Sequence, residues 1–416
     1  MPALTRVGTA FFLNKPGGGG PPAEPGEAIF HADKTTQANT WASTTVYNWT
    51  VPAGVTEISV VCVGGGGSGV AQHDGASGCG GGLAFKNQIA VTPGSTIEVS
   101  VGGGGDSAGW GNWGKKGDPS QIVVGGTVYA KAGGGTAQLG SNGNGLIGNT
   151  GDGVPLGPAG SFDGGGRGGE GQQWNGCRQS GGGAGGYQND GDTTSNGGNA
   201  KGGNCGNPSY AGNNPEDGLL GAGGGGISQN GSTQYYSSGG GGVGMYGRGT
   251  NGQAGSNSFG VARHPTGKGG SYDPWSYDTS GISPNSGYTH QTGTRGYSCE
   301  EQWNNWANAG TGTPSGENTG GIDLLQGEAS DRVYRRDGDT QGQGYTRPDG
   351  GFPGGGGGGA NGSRPCGYGG HGCVRIVWGK INNLPRRFPT QGVNKTDEYP
   401  GLSGATIDEN GKPMMY

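Results

Sequence analysis

Glycine in this chain comes in unbroken tracts, and those tracts decide what it can fold into. They stand at Gly64–Gly67, Gly102–Gly105, Gly133–Gly135, Gly164–Gly166, Gly181–Gly183, Gly223–Gly226, Gly239–Gly242 and Gly354–Gly359. Ordering glycine costs more backbone entropy than ordering any other residue, so such runs ordinarily read as linkers. Here strand sequence brackets them. Ile58-Ser59-Val60-Val61-Cys62-Val63 runs directly into the first tract, and Cys373-Val374-Arg375-Ile376-Val377-Trp378 follows the last after a short connector. A linker has no reason to be framed in this way, whereas a folded glycine layer does.

Composition points the same way. Of 416 residues 109 are Gly, and only 28% are hydrophobic, too few for an ordinary core of this size. Charged residues make up 13%, which is not the profile of a highly charged disordered chain. A net charge of -5, with no basic stripe, leaves no electrostatic footprint for nucleic acid. No apolar stretch approaches the length of a membrane-spanning helix, and Met1 to Lys15 lacks the layout of a signal peptide.

Polyproline II offers a physical answer. It is a threefold helix rising about 3.1 Å per residue with no internal hydrogen bonds, so every N–H and C=O points outward. Such helices pack side by side only where no Cβ intervenes, and each must satisfy its neighbours' backbone groups. The expected fold is therefore all-β: short framing strands plus packed polyproline/polyglycine II segments, with long loops and essentially no helix. Non-glycine residues belong at the ends and outer faces of the layer.

Along the chain, residues 1–45 read as an N-terminal docking arm, with an apolar run at Leu4 to Leu13 and then Gly17–Gly20, Pro21, Pro22 and Pro25. Residues 46–379 read as the glycine-rich domain. Within it Pro52-Ala53-Gly54 marks a turn between strands, and Ile97 to Val101 alternates as a half-buried strand. Ile122-Val123-Val124, Gly125-Gly126 and Thr127 to Ala130 form a tight hairpin. From about 256 to 349 the long tracts stop and aromatics thicken, which reads as an insertion. Residues 380–416 form a C-terminal tail.

Candidate chemistry is sparse. The seven cysteines are widely spaced with no Cys-x-x-Cys pair, so they read as reduced thiols; a bridge between Cys62 and Cys373 on the two framing strands stays open. The five histidines show no metal or triad spacing, and no enzymatic activity, cofactor or metal is expected. Asn189-Asp190-Gly191-Asp192 and Asp337-Gly338-Asp339 read as turns rather than calcium loops. The aromatics carry more. Trp110 and Trp113, and above all Tyr272, Trp275, Tyr277, Tyr288, Tyr297, Trp303 and Trp306, offer large contact area at low entropy cost. Saccharides stack on such rings while Asn, Gln and Asp bind hydroxyls. The competing role for these rings is to cover the glycine layer.

The residues also resemble a known family. Trp49-Thr50-Val51-Pro52-Ala53-Gly54-Val55 followed by Ile58 to Gly67 is similar to the opening of the glycine-rich domain of tailed-bacteriophage virion proteins. Ile89 to Gly94 with Val99 to Gly105 resembles its second signature, and Gly369 to Trp378 its closing strand. The resemblance spans about residues 46–379. It implies a virion structural protein of tail-fibre or adhesin type, often trimeric, with a polyglycine II sandwich whose distal loops bind a host surface glycan or outer-membrane protein. It further implies assembly in the host cytoplasm, docking onto other virion proteins through the arm, and no membrane insertion. A capsid fibre, decoration or cement protein, or an extracellular filament subunit, would use the same scaffold without a receptor role.

Overall fold

The computed structural model describes residues 23–32, 44–69, 77–106, 114–137, 155–156, 162–171, 181–187, 222–225, 229–230, 235–249, 251–252, 271, 333–335, 350–351, 353–358 and 367–393. Among them there is no helix. In chain order the strands are β1 (Gly26–His31), β2 (Thr45–Thr50), β3 (Glu57–Val63), β4 (Leu83–Ala90), β5 (Thr96–Val101), β6 (Ser120–Val124) and β7 (Thr127–Ala132). Then come β8 (Pro155–Leu156), β9 (Gly164–Gly166), β10 (Gln229–Asn230), β11 (Tyr235–Ser238) and β12 (Val333–Arg335). The last are β13 (Cys373–Trp378), β14 (Lys380–Ile381) and β15 (Leu384–Pro385).

Two antiparallel five-stranded sheets form the frame, ordered β1-β13-β3-β4-β9 and β2-β5-β6-β7-β8. The two framing strands are neighbours, in register from Ile58↔Trp378 to Val63↔Cys373. Their continuous apolar runs follow from burial on both faces. One face, with Val60, Cys62, Val374 and Ile376, meets Ile97, Val99, Val101 and Ile122 of the second sheet. The other face, with Val61, Val63, Cys373 and Val377, is covered by Tyr187, Val243, Met245, Phe388 and Val393. Strand β2 has its outer face in solvent and alternates accordingly. The Pro52-Ala53-Gly54 turn therefore carries the chain from one sheet to the other, since β2 pairs with β5 and not with β3. The β6–β7 hairpin turns on Gly125 and Gly126, at φ 56° and 81°, the left-handed region a two-residue turn of this hand requires.

Cys62 and Cys373 sit on adjacent strands but point to opposite faces of their sheet, because Cys373 is opposite Val63 and Cys62 opposite Val374. Both are free thiols, as is Cys79. Burial pushes the Cys373 thiol up to about 12 and raises that of Cys62 further. We expect thiol reagents at pH 8 to leave both unmodified in the folded protein, since only the thiolate attacks. Peptide mass spectrometry after native labelling checks this; modification of either at the rate of an exposed thiol contradicts the packing.

The glycine tracts form a lattice. In the segment 64–69, successive amides turn to three different neighbours and repeat every third residue. Gly64 and Gly67 donate to Gly82 and Cys79 (3.0 and 2.9 Å), Gly65 and Ser68 to Asp118 and Lys115 (3.0 Å each), and Gly66 and Gly69 to Gly370 and Gly367 (2.8 and 2.9 Å). Its carbonyls accept from three more: Gly135 at Gly65, Gly105 at Gly66 and Gly357 at Gly67 (2.7, 2.8 and 2.9 Å). The surrounding tracts are also bonded to one another, as in Gly117 to Gly135, Asp118 to Gly103, Gly369 to Gly105 and Gly78 to Gly357. This is the threefold geometry of polyglycine II with hexagonal packing. Segment 354–358 is a second such centre, bonded to the tracts around Gly67, Gly81, Gly182, Gly240, Gly351 and Gly370.

Side chains appear where the lattice ends. Arg167 and Glu170, Ala184 and Tyr187, and Tyr368 and His371 each stand three residues apart, one turn of the threefold helix. Several replace a missing carbonyl as acceptor. Ser120 Oγ takes the Gly102 amide (2.9 Å), His371 Nδ1 the Gly104 amide (3.0 Å) and Ser68 Oγ the Lys115 amide (2.9 Å).

Both termini of the described body are tied into the frame. Strand β1 lies within the segment read from sequence as the arm, and it pairs along its whole length with β13. Residues 386–393 of the tail cross the same sheet: Ser59 Oγ donates to Arg386 O (2.8 Å), and Asn87 makes two bonds with the Phe388 backbone (2.8 and 2.9 Å). Arg375, fully buried, grips Glu27 through Nε and Nη2 (2.9 and 2.6 Å) and donates from Nη1 to the Met245 and Val393 carbonyls (3.0 and 2.7 Å).

Candidate functional site

Because β3, β4, β5, β6, β7, β9 and β13 all border lattice tracts, the lattice has a sheet end and a far end. At the sheet end Gly64 bonds Gly82, Gly82 bonds Gly133, and Gly372 bonds Gly102. At the far end Ser68 bonds Lys115, Gly69 and Gly358 both bond Gly367, and Gly78 bonds Gly357. Ala137 bridges Gly78 there too.

The far end is where the described tracts repeatedly break off. Connections 70–76, 107–113, 172–180 and 359–366 each start and finish on far-end residues, and 138–154 starts from Ala137. The tracts around Gly224 and Gly240 are joined there through the β10–β11 hairpin, to which β12 adds a third strand. In sequence these connections carry Trp110, Trp113 and Trp174, with Gln72, Asp74, Asn112, Gln172 and Asn175 among them. Trp110, Trp113 and Trp174 themselves lie outside the described residues.

Of the segment read as an insertion, Ser271 and β12 are described. It starts at the sheet end, where the Gly252 amide bonds Ala222 O (2.8 Å) and Ser271 Oγ accepts from Gly249 (3.4 Å). It reaches the far end at β12 and re-enters the lattice at Gly350, which bonds Tyr368 O (2.8 Å). The residues read as receptor-binding, Tyr272, Trp275, Tyr277, Tyr288, Tyr297, Trp303 and Trp306, lie outside the described residues, as do the two Asp-Gly turns. Of the other aromatics, Tyr187 and Tyr246 cover the sheet: the Tyr187 hydroxyl donates to Gly244 O (2.8 Å), and the Tyr246 ring lies 4.4 Å from the Arg375 guanidinium. Among the described residues no cluster of His, Cys, Asp or Glu is arranged to hold a metal, and no helix is long and apolar enough to cross a membrane.

The described residues thus form a hydrogen-bonded lattice of glycine tracts on an all-β frame. A family model for a glycine-rich domain matches residues 40–287, more than half of the chain, and the chain belongs to that family. No curated protein matches it.

Proposed function

We propose that this protein is a tailed-bacteriophage virion component of tail-fibre or adhesin type, which binds the host surface through the far end of its glycine lattice. One observation supports the reading above others: the molecule is polar. The described body begins at Ala23 beside Gly379, past the outer end of β13, while the described glycine tracts break off at the opposite end of the lattice. A docked fibre needs that division, with one end held and one end free. The resemblance at Trp49 to Gly67 and Gly369 to Trp378 supports the phage assignment, and with it a trimer assembled in the host cytoplasm. The ligand is a glycan or protein of the host surface, bound without a cofactor, and no catalysis is involved.

Adsorption of otherwise complete particles tests this. By analogy with base stacking, one ring on a sugar face contributes on the order of 1–3 kcal/mol. Loss of two rings should therefore weaken host-cell binding about tenfold or more. Two variants separate the far end from the insertion: Trp110→Ala with Trp113→Ala, and Trp303→Ala with Trp306→Ala. We expect the first pair to reduce adsorption without affecting assembly, and the second to do so where the insertion reaches the receptor. Normal adsorption by both overturns the adhesin reading. Particles that fail to assemble favour the decoration or cement role.

A further inference from the structure

We infer that residues 350–393 are an insertion element whose seating fixes the N-terminal strand, so that the start of the chain is positioned only when its end is in place. Strand β13 does not lie at a sheet edge. It sits between β1 and β3, and within its sheet β1 has β13 as its neighbour. All six residues of β1 pair with β13. The polar grips on β1 come largely from the same element: Arg375 holds Glu27, and Arg386 Nη1 donates to Gly26 O (2.7 Å). From elsewhere, Tyr47 adds a hydroxyl bond to His31 O (2.6 Å) and a ring contact with Phe30.

The element also completes the lattice. Segments 354–358 and 367–372 occupy two of the six positions around 64–69. Without them the Gly66 and Gly69 amides lose their acceptors at Gly370 and Gly367, and the Gly67 carbonyl loses Gly357. Beyond β13, residues 386–393 cross β3 and β4 through Ser59 and Asn87. By contrast the second sheet, β2-β5-β6-β7-β8, is built wholly from residues 45–156. The strand made first thus obtains its ladder last. If residues 1–22 dock the protein, incomplete chains cannot present them correctly. That consequence rests on the function proposed above; the seating does not.

The test uses the full chain carrying a protease site inserted between Thr313 and Pro314, folded and then cut. We expect the two pieces to co-elute without denaturant. Rising denaturant should release the C-terminal piece, and in that step the amides of Gly26–His31 should lose protection from hydrogen exchange on the order of 100-fold or more. Pieces that separate on cutting, or β1 amides still protected after release, overturn the inference. Hydrogen exchange on the uncut chain gives a second reading that needs no cleavage: β1 opens whenever β13 opens, and β1 outlasting β13 is the contrary result. Neither measurement involves a receptor, so failure here and failure of the adhesin reading are distinguishable.

Discussion

Replacing Gly66 by valine should leave the chain unable to form its lattice. Gly66 lies in a segment with neighbours on all six sides, and a Cβ built on it falls on the Gly355 carbonyl oxygen. No side chain can rotate away, because the obstacle is backbone. The tracts must part, which strains the amide bond from Gly66 to Gly370 and the one from Gly105 to the Gly66 carbonyl. Each buried peptide group left unpaired costs about 1–3 kcal/mol, and overpacking adds about 1–3 kcal/mol. Together these approach the roughly 5–15 kcal/mol that holds a whole domain. Gly94→Ala is the control. Its φ is +79° and nothing lies within 4 Å of the added Cβ, so only the cost of the left-handed backbone applies, about 1–2 kcal/mol. Thermal unfolding of the two variants checks the contrast. A Gly66→Val protein as heat-resistant as the parent contradicts the lattice.

Arg375→Met carries the second large effect. Arg375 is 0% exposed and its side chain satisfies Glu27 and two backbone carbonyls at once. Methionine fills much of the volume but leaves both carbonyls without that donor and the Glu27 carboxylate with only Arg386 Nη2, 4.0 Å away, as its cation. Removing one partner of a fully buried ion pair costs about 3–5 kcal/mol, an upper bound here because Glu27 is 30% exposed. For a domain of roughly 150–250 residues each kcal/mol lowers the melting temperature by about 2–4 °C. Glu27→Gln should also destabilise: glutamine keeps an acceptor, but the fully buried Arg375 guanidinium loses its counter-charge. A double-mutant cycle over the two positions measures their coupling. A melting temperature unchanged in Arg375→Met shows that the tail and β1 are held by other contacts.

Much of the frame is legible in the sequence because it rests on local signals. Ile58 to Val63 and Cys373 to Trp378 are unmixed apolar runs, and a strand buried on both faces must read that way. Gly125-Gly126 marks its own turn. The glycine lattice is legible in kind, since only glycine permits it. Its margins are legible in principle as well: Arg167 and Glu170, or Tyr368 and His371, repeat at the period of a threefold helix. What the sequence hides is pairing at long range. Gly26–His31 follows a proline-rich stretch and becomes a strand through a partner nearly 350 positions away. Arg386 and Phe388 look like ordinary tail residues, yet one caps β1 and the other packs on Phe85 and Tyr187. The packing of the tracts is hidden for a further reason. A glycine tract has no side chain to mark which neighbours it meets, so its partners follow only from the hydrogen-bond pattern.

The lattice also sets how this protein responds to temperature. The heat capacity of unfolding rises with the apolar surface exposed and falls with the polar surface exposed, at about +0.45 and −0.26 cal/K/mol per Å². Segments such as 64–69 and 354–358 bury peptide groups and almost no hydrocarbon, and melting them exposes mainly the polar kind. Per residue, the chain therefore carries a smaller heat-capacity change than a protein built around a hydrophobic core. Its stability curve is correspondingly flat, losing little on cooling and declining slowly on warming.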